Sequence, residues 1–358
     1  MQGLRRYAYV ALTCALGSLG MARSALAWAP SGHMQIALLA YDGLPGDVRA
    51  ALVSLLGEHP RFRQDFLPVL PPSLATQAER ARWIFAYAST WPDLARSQPA
   101  FEHGTWHYVN LPLYLRQGRL GSCAEARAAF PESARRVLEI AAARRAQGKP
   151  AAPAGDAITL ALENARRTLG DVAKPRSERA LALSWVLHLV GDAHQPLHGV
   201  ALFTDSRFVA GDRGGNDISI SGRGSLHRVW DGLLGDEPSL VFATHEVALL
   251  RADPELDRLA RSQAKNLDVN TWLEESCELA RSAVYTPPIL AAVSNFERGA
   301  AANSSPAPAE STREAKPEVS LSDADLAGAK VIARRRARVA AARLATLLER
   351  VPLPRSPE

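Results

Sequence analysis

The sequence predicts an all-α fold, a single mainly helical domain with at most a small β-hairpin. Apolar residues recur at helical spacing through most of residues 28–349. Val and Ile cluster with alternation only around His107–Asn110 and Asp217–Ser221, and no internal repeat divides the chain.

Taken in order, the first 27 residues lie outside the fold. Arg5 and Arg6 precede an almost wholly apolar or small stretch from Tyr7 to Met21. Ala25-Leu26-Ala27 then supplies the small-x-small pattern of a cleaved secretory signal. That stretch is too short for a comfortable membrane span, so a secreted or periplasmic chain without a stable membrane anchor, beginning at Trp28, is expected. Ser31 is expected to N-cap a first helix over Gly32–Tyr41, and Pro45 to open a second carrying Val48, Leu52, Leu55 and Leu56. Helical periodicity continues through Glu79–Ser89, Glu132–Ala146, Gly155–Leu169, Ser177–Val190, Ser239–Leu250 and Leu256–Ala283. Residues Glu297–Ser320, rich in Ala, Pro, Ser, Glu and Lys, read as a flexible surface loop. A last helix spans Ser322–Glu349, so the domain covers residues 28–350 and leaves 351–358 as a tail. The arginines at 334–336, 338 and 343 read as its solvated face in preference to a nucleic-acid patch.

Composition sets the class of protein but not its partner. The 358 residues are 47% hydrophobic, which excludes a disordered chain, and three Cys exclude a disulfide-dense miniprotein. The net charge of +5 suggests a polyanion ligand, yet Arg5, Arg6 and Arg23 leave with the signal. The remaining 331 residues carry only +2. Cys123 and Cys277 are the two cysteines of the mature chain. In an oxidising compartment they are expected to pair, closing a loop worth on the order of 4–5 kcal/mol in the chain-entropy model. Two free buried thiols are the alternative.

The nine histidines are more informative. SWVLHLVGDAHQPLHG puts His188 and Asp192 four residues apart, on one helical face, and Pro196 should turn the chain so that His198 returns to the same region. LHRVWD repeats the spacing with His227 and Asp231. Asp93 lies in TWPDLAR, His107 in TWHYVNLP, and His33 follows Trp28 by five residues. One H-x-x-x-D pair is more often a surface hydrogen bond. Five His and three Asp in such contexts instead suit a zinc site built from facing helices.

The pieces WAPSGH, STWPDLAR, WHYVNLP, HLVGDAHQPLHG, DRGGND and LHRVWD, in this order, resemble the zinc-dependent single-strand nucleases of the fungal nuclease S-one and P-one type, in the phospholipase C superfamily. The resemblance implies three zinc ions. Asp93, His107 and His188 would hold one. The amine and carbonyl oxygen of Trp28 would hold a second with His33, and Asp192 would bridge these two. His198, His227 and Asp231 would hold the third, more exposed ion. Only cleavage directly before Trp28 creates the amine ligand, whose ordinary pKa near 8 lets it deprotonate. Three dications against three Asp would leave about +3 in the pocket, and zinc lowers the pKa of bound water to roughly 7.

The resemblance also implies that Asp93 orients the attacking water and that Arg96, three residues on, grips the phosphate. Without it, Arg96 reads as a solvated surface residue. Tyr108 would stack on a base and Asn110 bond its edge, or both are structural. Asn216 would reach substrate, or is a turn residue beside Gly. His194 is expected behind the ligands, and His59, His103 and His245 match no ligand position. Asn303-Ser304-Ser305 is a glycosylation sequon.

The implied activity is hydrolysis of single-stranded DNA and RNA to 5′-phosphomononucleotides, with 3′-mononucleotides as further substrates and a monomer as the expected form. A zinc phospholipase C shares the His188/Asp192/His198 spacing, but that branch ends its third-zinc set with Glu where this chain has Asp231. A metal-binding protein without turnover is the remaining alternative.

Overall fold

A computed structural model describes residues 28–130, 157–302 and 316–353. The expected signal, the whole of the helix expected over Glu132–Ala146, the Asn303 sequon and the end of the tail fall outside these residues.

Two buried helices form the axis. α1 (Pro30–Gly43) and α6 (Arg176–Asp192) bury nearly every side chain, from Ser31 to Tyr41 and from Arg179 to Asp192 respectively. Each apolar side chain buried this fully contributes roughly 1.5–3 kcal/mol, so Leu183, Val186, Leu187, Leu189 and Val190 strongly anchor the second half of α6. α6 starts directly after Pro175, and its Ala- and Leu-rich run suits a helix. It stops at Asp192, four residues before Pro196. Ser31 does not cap α1. Pro30 occupies the first helical position, the cap residue is Ala29, and the Ser31 hydroxyl accepts a bond from Gln35 instead.

The outer helices are α2 (Gly46–Leu56), α3 (Gln77–Ala88), the short α4 (Trp91–Leu94) and α5 (Ala157–Gly170). They continue after α6 with α7 (Leu226–Asp231), α8 (Leu240–Ala252), α9 (Pro254–Gln263), α10 (Val269–Leu279), α11 (Pro287–Ala302) and α12 (Asp323–Glu349). The periodicity read as continuous over Leu256–Ala283 is two helices, separated where Asp268 begins a new cap by accepting from the Asn270 amide. α12 starts as expected at Ser322, in a capping box with Asp325.

Strand content exceeds one hairpin. β1 (Leu111–Arg116) pairs antiparallel with β2 (Arg119–Leu120) and parallel with β3 (Val200–Phe203). β4 (Ser219–Ile220) pairs antiparallel with β5 (Gly224–Ser225) and parallel with β6 (Glu318–Val319). Residues 297–320 are accordingly not a plain loop. Residues 297–302 extend α11, and Glu297 accepts bonds from Thr204, Ser206 and Arg207, while 318–319 are strand.

Of the α12 arginines read as a solvated face, Arg335 is exposed but the others are not. Arg336 and Arg343 are buried, and Arg334 and Arg338 pair with Glu246 and Asp257. Cys123 and Cys277 form a disulfide with Cα atoms 5.9 Å apart, tying α10 to the segment after β2. Among the described residues no helix is long and apolar enough to cross a membrane.

Candidate metal centre

The parallel pairing of β1 with β3 brings the two middle motifs together. It starts at Leu111 opposite Val200. Just before it, the Val109 amide bonds the His198 carbonyl at 2.8 Å, and His198 Nδ1 lies 2.8 Å from the His107 carbonyl. α6 delivers His188 and Asp192 from one face, and α1 lays His33 flat against His188, ring centroids 3.9 Å apart. α7 delivers His227 and Asp231, with Ser225 capping its first turn.

Three groups result, the first two sharing His188, each with ligand atoms within 4.8 Å of one another: His33–Asp93–His188, His107–His188–Asp192 and His198–His227–Asp231. The third matches the set implied by the resemblance. The first two interleave through His188, where the resemblance separates Asp93, His107 and His188 from His33. Asp192 lies between all of them, with Oδ2 3.0 Å from His107 Nδ1 and 3.2 Å from His188 Nε2. Its Oδ1 is 3.4 Å from His33 and 3.5 Å from His198. The third group is buried throughout, like the second, and the most open residue of the three groups is Asp93 of the first, so the greater exposure implied for the third ion is not seen in the burial of its ligands.

The backbone fixes which nitrogens face inward. His188 Nδ1 lies 2.7 Å from the Ser89 carbonyl, His198 Nδ1 2.8 Å from that of His107, and His227 Nδ1 2.6 Å from that of Gly214. A carbonyl only accepts, so each Nδ1 carries the proton and each Nε2 presents a lone pair to the centre. Both ring nitrogens of His33, Nε2 of His107 and of His198, and Asp192 Oδ1 are buried without a hydrogen-bond partner. Buried polar atoms rarely remain so, and neutral imidazoles beside carboxylates are the donor set divalent zinc takes.

Charge follows the same pattern except at His188, where burial lowers the imidazole pKa but Asp192 and Asp93 outweigh it and raise it. Burial pushes the His107 imidazole down to about 4 and depresses His33 and His198, keeping them unprotonated. Burial also acts to raise the Asp192 carboxyl, but His188 and His198 outweigh it and hold the group well below the carboxylate range. Burial raises Asp231 to about 8, so a nearby cation is needed to ionise it fully at neutral pH.

Trp28 and Ala29 span the two ligand-bearing helices. The Trp28 indole donates to the Gly191 carbonyl and the Ala29 amide to the Asp231 carbonyl, both at 3.0 Å. Gly191 is required by proximity, because a Cβ there would lie 2.9 Å from His33 Nδ1. In the DRGGND turn, Gly214 has φ +61°, and a Cβ would lie 2.5 Å from the Leu197 carbonyl. Asp212 anchors that turn through the Leu202 amide and the Tyr285 hydroxyl.

Arg96 approaches Asp93 at 3.0 Å, at the edge of the cluster. Tyr108 is half-buried beside His107, and burial raises its phenol pKa against the pull of Arg213 and Arg96. Asn110 is half-buried just before β1. The Asn216 amide donates to the Arg213 carbonyl and accepts from Ser225, the bonds of a turn residue.

His194 is buried but bonds away from the ligands, to the Val190 carbonyl and Arg343. His59 is packed against Phe66 and Trp91, His103 stacks on Trp106, and His245 is exposed. Gln195 was not singled out by spacing, yet its amide donates to Asp231 Oδ1 at 2.7 Å.

A family profile described as S1/P1 Nuclease matches residues 28–352. The chain belongs to the S1/P1 nuclease family. Among curated relatives, Endonuclease 3 of Arabidopsis thaliana is 35% identical over 109 residues, 30% of this chain and 33% of that protein. Endonuclease 4 of the same plant is 28% identical over 109 residues, 30% of this chain and 32% of its own length. The match thus spans about a third of each curated relative. The family match itself covers every residue of the three His/Asp groups and starts at Trp28.

Proposed function

We propose that this member of the S1/P1 nuclease family is a secreted, zinc-dependent endonuclease that hydrolyses phosphodiester bonds of single-stranded DNA and RNA. Its products would be 5′-phosphomononucleotides, and 3′-mononucleotides would be dephosphorylated as well. The observation that carries this reading is the buried His/Asp cluster, in which backbone carbonyls hold His188, His198 and His227, while nitrogens of His33, His107 and His198 and one oxygen of Asp192 are buried without a hydrogen-bond partner.

Three zinc ions would be held by His33, Asp93, His107, His188, Asp192, His198, His227 and Asp231, completed by the amine and carbonyl of Trp28. Bound there, zinc supplies Lewis acidity toward phosphate and lowers the pKa of water. The residues of the chain do the rest. Asp93 orients the attacking water and holds Arg96, whose guanidinium suits two phosphate oxygens at once. Tyr108 offers a ring face to a base and Asn110 an amide to its edge. Asn216 would support the turn in preference to touching substrate, because its amide is already engaged there.

Parallel assays on single-stranded DNA and on phosphatidylcholine vesicles test the reading. Release of 5′-mononucleotides is expected, and lipid hydrolysis without DNA cleavage would replace it with the phospholipase reading. Adding one residue before Trp28 should cost at least one zinc per chain, and full retention would remove the amine from the ligand set.

A further inference from the structure

Behind the third His/Asp group lies a buried charge network that spacing did not reveal. Arg336 and Arg343 project from α12 into the interior, at 6% and 0% exposure. Arg343 bonds both oxygens of Glu275, at 2.7 and 2.6 Å, together with the Gln263 side chain. Its Nη1 also lies 2.9 Å from His194 Nε2. Arg336 donates to the His194 carbonyl at 3.1 Å, to Glu275 and to the Ser276 hydroxyl. Ser276 in turn donates to the Ala193 carbonyl at 2.8 Å.

Every one of these bonds ends on α9, α10 or the turn 193–198. That turn begins one residue after Asp192, contains Gln195, which holds Asp231, and ends at His198. His194 is itself locked as an acceptor. Nδ1 gives its proton to the Val190 carbonyl at 2.7 Å, so Nε2 takes the guanidinium N–H. Buried ion pairs stabilise little compared with apolar packing, and their best-attested role is to fix one arrangement against others. Two guanidinium groups sharing one carboxylate, and both reaching one histidine, fit that role.

We propose that Arg336 and Arg343 are positioning residues that hold the turn 193–198, and through it His198 and Gln195–Asp231, in the geometry the third metal requires. The inference rests on the reading of His198, His227 and Asp231 as a metal site. Arg343 fixes the side chain of His194 and Arg336 its backbone, while Ser276 fixes Ala193. The turn is thereby held from behind, on the side opposite the ligands.

The test compares the full mature chain with Arg336→Met/Arg343→Met/Glu275→Leu, which removes both guanidinium groups and the carboxylate they share and so leaves no unpaired charge in the network. Zinc per chain is measured across buffers of graded free zinc, and thermal unfolding is measured after chelation. The expected result is a metal-free melting temperature near that of the parent, with the weakest of three zinc ions bound roughly 10- to 100-fold less tightly and the other two unchanged. Three zinc ions bound as tightly as in the parent would overturn the proposal, leaving the network a purely structural device. A parent chain that never binds a third zinc would overturn the metal reading itself, and the proposal with it. Should the triple variant not fold, Arg343→Lys carries the same comparison. It keeps the charge but cannot reach Glu275 and His194 together, so unchanged binding of the third zinc would again overturn the proposal.

Discussion

The Gln195 amide donates a 2.7 Å hydrogen bond to Asp231 Oδ1, and both side chains are buried. Gln195 also accepts from the Leu197 amide, so one side chain fixes the turn and aims the carboxylate. Gln195→Leu should leave Asp231 without its donor, at a cost of about 1–3 kcal/mol. Affinity for the last zinc should drop roughly 10- to 100-fold, as titration with a zinc indicator would read. Unchanged zinc affinity would show that the bond does not orient Asp231.

Gly191→Ala would put a methyl group 2.9 Å from His33 Nδ1 and 3.1 Å from its Cε1. Neither helix can retreat easily, because α1 and α6 are buried nearly all round. A loss of about 1–3 kcal/mol is expected in denaturant unfolding. Zinc binding at the His33 side should weaken with it. A variant as stable as the parent would mean that α1 and α6 are not packed this closely.

Much of the site is legible in the sequence, for a physical reason. His188/Asp192 and His227/Asp231 sit four apart on helices, where spacing alone dictates a shared face. The short strands are not legible, since two-residue elements such as β4 and β6 carry no period, yet the β1–β3 pairing is what sets His107 beside His198. Arg336 and Arg343 look like solvated residues because a charged residue counts as polar in any amphipathic pattern. Their burial depends on Glu275, more than sixty positions away. Gln195 is hidden likewise, because a Gln before Pro in a turn gives no sign of the carboxylate it will meet.

Burial between Phe66 and Trp91 pushes the His59 imidazole down to about 4 from its ordinary 6.5. The folded value is depressed, so the unfolded chain takes up the proton first. This contribution is whole above pH 6.5 and is lost as the pH falls toward 4. The loss amounts to about 2 kcal/mol by pH 5. His59→Asn, which keeps an acceptor for the Arg61 amide, should flatten that part of the stability profile. A profile with the parent's slope between pH 7 and 5 would contradict the assignment.

Asp93 pairs with Arg96 while belonging to the first His/Asp group. Asp93→Asn keeps the shape and removes the charge. Cleavage of single-stranded DNA should fall roughly 10²- to 10⁴-fold. Equal activity in the variant would take Asp93 out of the catalytic machinery.

The central claim is that the buried histidines and aspartates form one centre for three zinc ions. Elemental analysis of the purified mature chain, after exhaustive dialysis against metal-free buffer, tests it most directly. About three zinc ions per chain are predicted. A chain that retains none, or only one, would contradict the account.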